Sequence, residues 1–216
     1  MTTDIVIPAH NEAGTITAVV NAATVAPSVG QVVVVADHCT DATADLARAA
    51  GADLVVELTN ATGDKGTAMA FGLAQVVTSD VLFIDADLLG LVWQHVEALL
   101  IAEPKGGQVC GLRDVPYHFT SNRLPPITGE RRIGADLARS VDLTGSGYRA
   151  EIMLNAAVGR AQLPHRNVVL VGVTNPTRAT RHPLSWLTMW ADLAFLGIVH
   201  APALAAYAMY PEGMGR

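Results

Sequence analysis

The sequence predicts an α/β domain built on a mainly parallel sheet flanked by helices. Three observations predict it: short β-branched runs ending at turn residues, helical stretches between those runs, and a length of 216 residues of which half are hydrophobic. That length suffices for one domain with a full core and is short for two. Only 16% of the residues are charged, which excludes an intrinsically disordered chain, because disorder needs low hydrophobicity and strong charge.

Strands are expected over residues 4–8 (DIVIP), 31–36 (QVVVVA), 53–56 and 81–84 (VLFI). Each run is continuously apolar, as strands covered on both faces are. Helices are expected over residues 13–24, 41–50 and 67–77. Strand followed by helix, repeated, implies right-handed crossovers and parallel pairing. Such sheets take ligands at the carboxyl ends of their strands, and Pro8, Asp37 and Asp85 all fall at such ends. The second half predicts strands over 108–112 and 167–171 and helices over 131–140, 148–158 and 185–196. Residues 117–128 carry Pro125-Pro126 and read as a lid over the acceptor side, since consecutive prolines block helix and central strand alike.

The formal net charge of −6 lacks the positive field that nucleic-acid binding requires. Cys39 and Cys110 stand far apart without metal-ligand spacing, and the chain opens on an apolar strand rather than a secretory signal. A cytoplasmic protein is the expectation. Residues 1–216 read as a single domain with an apolar helical tail over 185–212. Within that tail, Leu193 to Tyr210 carry no formal charge, but His200 and Pro202 interrupt them, which favours packed helices over a membrane span. The tail either packs on the domain or on a second copy in a homodimer, or makes peripheral contact with the inner face of the membrane.

Chemistry concentrates at the strand ends. In Val81-Leu82-Phe83-Ile84-Asp85-Ala86-Asp87 an apolar strand ends in two carboxylates one residue apart. Hard cations such as Mg²⁺ or Mn²⁺ take oxygen ligands and accept substrate phosphates for the rest, so this pair suits a metal-bound diphosphate. The plainer alternative is a solvated turn with a capping aspartate. Asp37 ends the second strand in the same way and offers a fixed acceptor to a base or ribose. Asp41 reads as a helix N-cap, with Asp45 complementing the helix dipole. Pro8-Ala9-His10-Asn11-Glu12 joins small residues, which let a ligand approach the backbone, to Asn11 as a possible cap and Glu12 as an acceptor for ribose or base. Gly63-Asp64-Lys65-Gly66 places one cation before a helix, suited to phosphate. It lacks the full phosphate loop of ATPases. His38-Cys39 has no second ligand pair, which argues against zinc.

In order, IVIPAHNE, VVVVADHCTDAT, GDKGTAMAFGLA and VLFIDADL resemble the family-2-like glycosyltransferases of the GT-A (Rossmann-like) fold. Glucosyl-3-phosphoglycerate synthases and polyprenyl-phosphate glycosyltransferases are among the relatives. The resemblance implies a nucleotide-sugar site lined by Pro8, Ala9, Glu12, Asp37, Lys65, Asp85 and Ala86, with Asp85 and Asp87 on the metal. Pro126-Ile127-Thr128-Gly129-Glu130-Arg131 is similar to the family's acceptor loop, and Gly147-Tyr148-Arg149-Ala150-Glu151 to the GYxxE segment after it, which implies acceptor contacts from Thr128, Gly129, Arg131 and Tyr148. If the sugar carbon inverts, Glu130 is the base by motif order. With retention it orients a substrate, and as a plain structural residue it caps a helix. A late-loop histidine completes the metal shell in many relatives; His182 or Asn175 stands for it here, while Arg131, Arg132, Arg178 and Arg181 supply cations for an acceptor. For His10, His95, His118, His165 and His200 ordinary surface or packing roles suffice.

The implied reaction is metal-dependent transfer of a hexose from a nucleotide-diphosphate sugar, of the UDP-glucose or GDP-mannose kind, to a small phosphorylated or lipid-phosphate acceptor. Two rivals stand beside it. A nucleotidylyltransferase would carry a glycine-rich basic loop after the first strand, where this chain has IPAHNEAGT. A non-catalytic sugar-nucleotide-binding domain would have less use for the intact acids.

Overall fold

The computed structural model describes residues 2–59, 63–113, 126–175 and 200–209. Four strand–helix units come first: β1 (Thr3–Ala9), α1 (Ile16–Thr24), β2 (Val29–Asp37), α2 (Thr43–Ala49), β3 (Leu54–Leu58), α3 (Lys65–Leu73), β4 (Asp80–Phe83) and α4 (Trp93–Ile101). They are followed by β5 (Gln108–Arg113), β6 (Arg131–Gly134), α5 (Ala135–Arg139), α6 (Ala150–Arg160), β7 (His165–Leu170) and α7 (Ala201–Met209). The described strands form one sheet in the order β3-β2-β1-β4-β6-β5-β7. All pairings are parallel except those of β6, which runs antiparallel to both β4 and β5.

The continuous apolar runs are explained by burial on both faces. Ile5, Ile7, Val32, Val34, Leu82 and Ile84 pack with α1 and α4 residues such as Val19, Val20 and Leu99. Val6, Val33, Val35, Val81 and Phe83 point the other way, into a cluster with Met69, Leu73, Leu154 and Val158. The alternation follows the two-residue period of a strand. From β1 the chain builds outward through β2 and β3, then returns to place β4 on the opposite side of β1. This reversal opens a crevice at the carboxyl ends of β1 and β4, the place where open α/β sheets bind ligands.

Several boundaries differ from the sequence expectation. Residues 131–140, expected as one helix, are β6 and then the short α5. The reason is the burial of Arg131 and Arg132, each 0% exposed, in the middle of a sheet. The Arg132 Nη1 and Nη2 groups donate to the carbonyls of Leu100, Ala102 and Pro104, and its Nε lies 3.6 Å from the Asp80 carboxylate, so the terminal nitrogens of this buried guanidinium are met inside the fold and its charge has a counterion. Helix α4 was not expected from the sequence. Helix α3 begins at Lys65, two residues early, because Asp64 is its N-cap and accepts from Thr67 N at 2.8 Å. Helix α6 is preceded by a 3₁₀ turn at Gly147–Arg149. The helix expected over 185–196 and most of the proposed lid lie outside the described residues. The described part of the apolar tail, α7, packs against α6, and no described helix is long and apolar enough to cross a membrane.

Candidate active site

The crevice at the β1/β4 reversal holds a cavity of about 170 Å³ lined by Pro8, Ala9, His10, Glu12, Asp37, Gly63, Lys65, Ala68, Asp85, Ala86, Asp87 and Tyr148. Every residue that the sequence placed at the nucleotide sugar is among them, together with Asp87 and Tyr148. Strand β4 brings the acids there: Ile84 N donates to Val6 O at 3.1 Å, the last bond before the chain leaves the sheet, and Asp85 to Asp87 follow at once.

Lys65 sits at the floor as the first residue of α3. Its Nζ lies 2.7 Å from Asp85 Oδ1 and 2.7 Å from Glu151 Oε1, with the Tyr148 ring centroid 5.9 Å away. Burial works against the ammonium charge, but the Asp85 and Glu151 carboxylates outweigh it and raise the lysine above its ordinary value. Burial likewise works against the Asp85 carboxylate; Lys65, with Arg113 and Arg131 behind it, holds it below its ordinary value. The helix start must approach closely for this. A Cβ at Gly66 would stand 2.0 Å from Ser146 Oγ, so only glycine lets α3 meet the segment that carries Tyr148 and Glu151.

At the opposite wall Asp37 is buried, with one oxygen 2.8 Å from His38 Nδ1 and the other accepting from Asp64 N at 2.6 Å. His10 Nδ1 donates to the Asp37 carbonyl at 2.6 Å, which gives this histidine a partner that the sequence did not reveal. Asn11 does not cap α1; its Oδ1 accepts from Thr40 N at 2.7 Å and ties the loop after β1 to the loop after β2. Asp41 stands one residue before the N-cap of α2, Ala42, and joins the same web by accepting from Ala13 N and Thr43 N at 3.1 and 3.0 Å. Thr43 Oγ1 in turn accepts from Glu12 N at 2.8 Å. Asp45 lies in the first turn of α2, as expected.

Behind the Asp85-Ala86-Asp87 turn Gly129 presses against Asp85: a Cβ there would lie 2.0 Å from Asp85 Oδ1. Thr128 and Glu130 are buried on either side of it, and among the described residues none of the three lines the cavity. The expected helix cap at Glu130 is excluded because a strand follows it. Arg131, expected to meet an acceptor, instead spends its guanidinium on Thr128 O at 2.7 Å, Glu151 O at 3.1 Å and Asn155 Oδ1 at 3.1 Å. It therefore acts as an internal brace for the Thr128–Glu130 turn. Arg132 is equally buried and turned to the far side of the sheet. His182, Arg178 and Arg181 lie outside the described residues. Asn175 follows Thr174, whose backbone pairs with Leu89 at 2.8 and 3.0 Å, two residues beyond Asp87. Among the described residues no three His, Cys, Asp or Glu side chains are grouped to hold a metal alone.

Glu130 is fully buried, and burial first, then the Asp85 charge, pushes its carboxyl up to about 7 against the opposing pull of Arg113, Thr128 and Lys65. The hydrogen bonds agree. Thr128 Oγ1 reaches both Gly111 O, at 2.8 Å, and Glu130 Oε2, yet a hydroxyl has one proton to give. A protonated Glu130 donates to Thr128, and Thr128 donates onward to Gly111. Proton uptake by the folded state above the ordinary value of 4.5 means that this group costs stability as pH rises from about 4.5 through 7. Glu130→Gln, which keeps a donor for Thr128, should remove that decline. Urea unfolding between pH 4.5 and 7.5 should show the variant gaining on the parent by on the order of 3 kcal/mol; parallel pH profiles would refute the raised carboxyl.

The sequence model for glycosyl transferase family 2 matches residues 4–133. A search of curated protein sequences gives no significant match. Among solved structures, glucosyl-3-phosphoglycerate synthase from Mycobacterium tuberculosis in complex with phosphoglyceric acid is 22% identical, with 98% of this chain and 81% of that chain covered at a TM-score of 0.66. The same enzyme in complex with Mn²⁺, UDP-glucose and phosphoglyceric acid is 23% identical over 98% and 81% of the two chains, at 0.67. A mycobacterial protein is 24% identical over 98% and 76%, at 0.70. These structures share the fold. The family match covers more than half of the chain, including both walls of the cavity and the Asp85-Ala86-Asp87 turn, and the protein thus belongs to glycosyl transferase family 2 as a glycosyltransferase of the GT-A fold.

Proposed function

We propose that this glycosyltransferase moves a hexosyl group from a nucleotide-diphosphate sugar, with UDP-glucose the first donor to test, to a small phosphorylated acceptor, and that Mg²⁺ or Mn²⁺ serves the diphosphate. The observation that carries the reading is the convergence of Asp37, Lys65, Asp85 and Asp87 on one cavity at the sheet's reversal point. Similar structures hold Mn²⁺ with UDP-glucose and phosphoglyceric acid, or Mg²⁺ with UDP, which supports the choice of donor, metal and acceptor class. Packing of α7 on α6 gives the described part of the tail a partner inside the domain, which favours a small acceptor over a lipid-phosphate one.

The donor set fits such a metal. Asp85 and Asp87 are hard oxygen ligands, and a cation that also takes diphosphate oxygens and water needs only one or two protein carboxylates. When bound, it would neutralise charge on the departing diphosphate. We assign Asp87 and Asp85, which line the cavity together at the exit of β4, to the metal. Asn175, near the turn by its neighbour's pairing with Leu89, or His182 would add a ligand. Asp37 retains acceptor capacity beyond its two bonds, since a carboxylate has about four lone-pair sites, and we assign it to the base or ribose. Pro8 and Ala9 provide a flat wall, and Glu12 a second acceptor. Tyr148 lines the cavity, and we assign it to the acceptor. Glu130, buried behind Gly129, positions the Thr128–Gly129 turn against Asp85 rather than taking the acceptor's proton.

Two outcomes test the reading. With Mn²⁺, UDP-glucose should raise the melting temperature of the parent protein, because a ligand selective for the folded state stabilises it by mass action. Asp87→Ala should lose the metal-dependent part of that rise and all turnover while unfolding cooperatively; full activity in this variant would remove Asp87 from the metal. Asp37→Ala should weaken donor binding by about 1–3 kcal/mol, the loss of hydrogen bonds to a charged group, read by calorimetric titration. Unchanged donor affinity would take Asp37 out of the nucleotide site.

A further inference from the structure

We propose that Arg113 forms an oxyanion subsite on the acceptor side of the cavity, taking a phosphate or carboxylate group of the acceptor. The inference rests on the donor-site reading and adds a recognition residue that the sequence motifs do not contain. It starts from strand direction. Strand β6 is antiparallel to both β4 and β5, so β4 and β5 run the same way, and Arg113, the last residue of β5, emerges on the same rim as Asp85. Arg131 fixes the spacing across that rim, pairing with Phe83 on one side and Cys110 on the other.

The second observation is what the guanidinium lacks. Arg113 Nε and Nη1 are buried and have no hydrogen-bond partner, with the side chain 14% exposed. A guanidinium cannot shed its charge, so unmet buried N–H groups are costly unless something binds them. The described carboxylate paired with it is poorly placed: Glu130 Oε2 lies 3.9 Å from Nε, beyond hydrogen-bonding distance, and that carboxyl is already shared with Thr128. Burial and the Asp85 charge push the Glu130 carboxyl up to about 7, so around and below that pH it offsets the Arg113 charge only in part. Arg131, the neighbouring cation, has its donors committed to Thr128, Glu151 and Asn155. Lys65 is committed to Asp85 and Glu151. Among the described residues Arg113 is thus the cation at this rim with unmet donors, Nε–H and Nη1–H on different edges of its guanidinium plane, each able to take an oxygen of an incoming phosphate or carboxylate. The Asp85 carboxylate, which lines the cavity, feels the charges of Lys65 and Arg113 together, so an anion at Arg113 would lie within electrostatic reach of the diphosphate site.

The test is calorimetric titration of the full chain, saturated with UDP and Mn²⁺, with glycerol 3-phosphate in one arm and glycerate in the other, for the parent, Arg113→Gln and Arg113→Lys. The parent should bind at least one of the two, and Arg113→Gln should weaken that binding tenfold or more while UDP affinity changes less than twofold. Arg113→Lys should recover only part, because a point charge lacks the fork. Whichever arm shows the loss identifies the oxyanion as phosphate or carboxylate. Equal anion binding by parent and Arg113→Gln, or no binding of either anion by the parent, overturns the proposal. Repeating both titrations without nucleotide separates the two readings. Failure of UDP to bind the parent sinks the donor assignment, while the Arg113 comparison still reads the subsite.

Discussion

The largely buried ion triad of Lys65, Asp85 and Glu151 is the interaction on which the rest of the site depends. It joins the first residue of α3, the exit of β4 and the first turn of α6, three elements far apart in sequence. Taking such charges out of water costs several kcal/mol per ion, and only close, mutual pairing offsets it. The triad meets that condition, with two 2.7 Å contacts on one ammonium. Breaking one contact would leave a buried charge uncompensated, typically a loss of 3–5 kcal/mol. Because the same carboxylate turns toward the cavity, the floor of the site and the stability of this corner of the fold are one structure.

The glycines around the triad follow from its closeness. Gly66 admits the Ser146 segment and Gly129 admits the Asp85 carboxylate, so each lets one ionised group be reached by backbone where a side chain would hold it off. The division of charge follows too. Carboxylates gather on the donor side, at Asp37, Asp85 and Asp87, and guanidinium groups stand behind the turn at Thr128–Glu130. The proposed transfer from a diphosphate sugar to a phosphorylated acceptor would use that division: one region for a cation with its phosphates, and another for an anion.

The first half of the fold was legible in the sequence because its strands are apolar on both faces and its acids fall at strand ends. DIVIP, QVVVVA and VLFI state their structure and their direction at once. The second half was not, for a physical reason that Arg131 and Arg132 make plain. A strand whose guanidinium groups are buried and spend their terminal nitrogens inside the fold looks like an exposed, polar helix start, and no periodicity shows that those donors end on Leu100, Ala102, Thr128 and Asn155. Helix α4 was missed although its buried face, Val96, Leu99 and Leu100, keeps helical spacing. The site was legible where a motif carries it, at Asp37, Lys65 and Asp85 to Asp87. His10 and Asp64 enter through tertiary contacts: a backbone carbonyl across a loop, and a cap that also donates its backbone N–H to Asp37. Glu151 was visible within the GYRAE segment, but the partner that gives it a role lies 86 residues away at Lys65.

A double-mutant cycle for donor binding tests the triad most directly. UDP-glucose affinity in the presence of Mn²⁺ is measured for the parent, Lys65→Met, Asp85→Asn and the double variant. If the two charges build the floor of the site together, each single variant weakens binding and the double variant is little worse than the weaker single, a coupling of about 1–3 kcal/mol. Strictly additive losses would mean that Lys65 and Asp85 act on the donor independently, and would contradict the account.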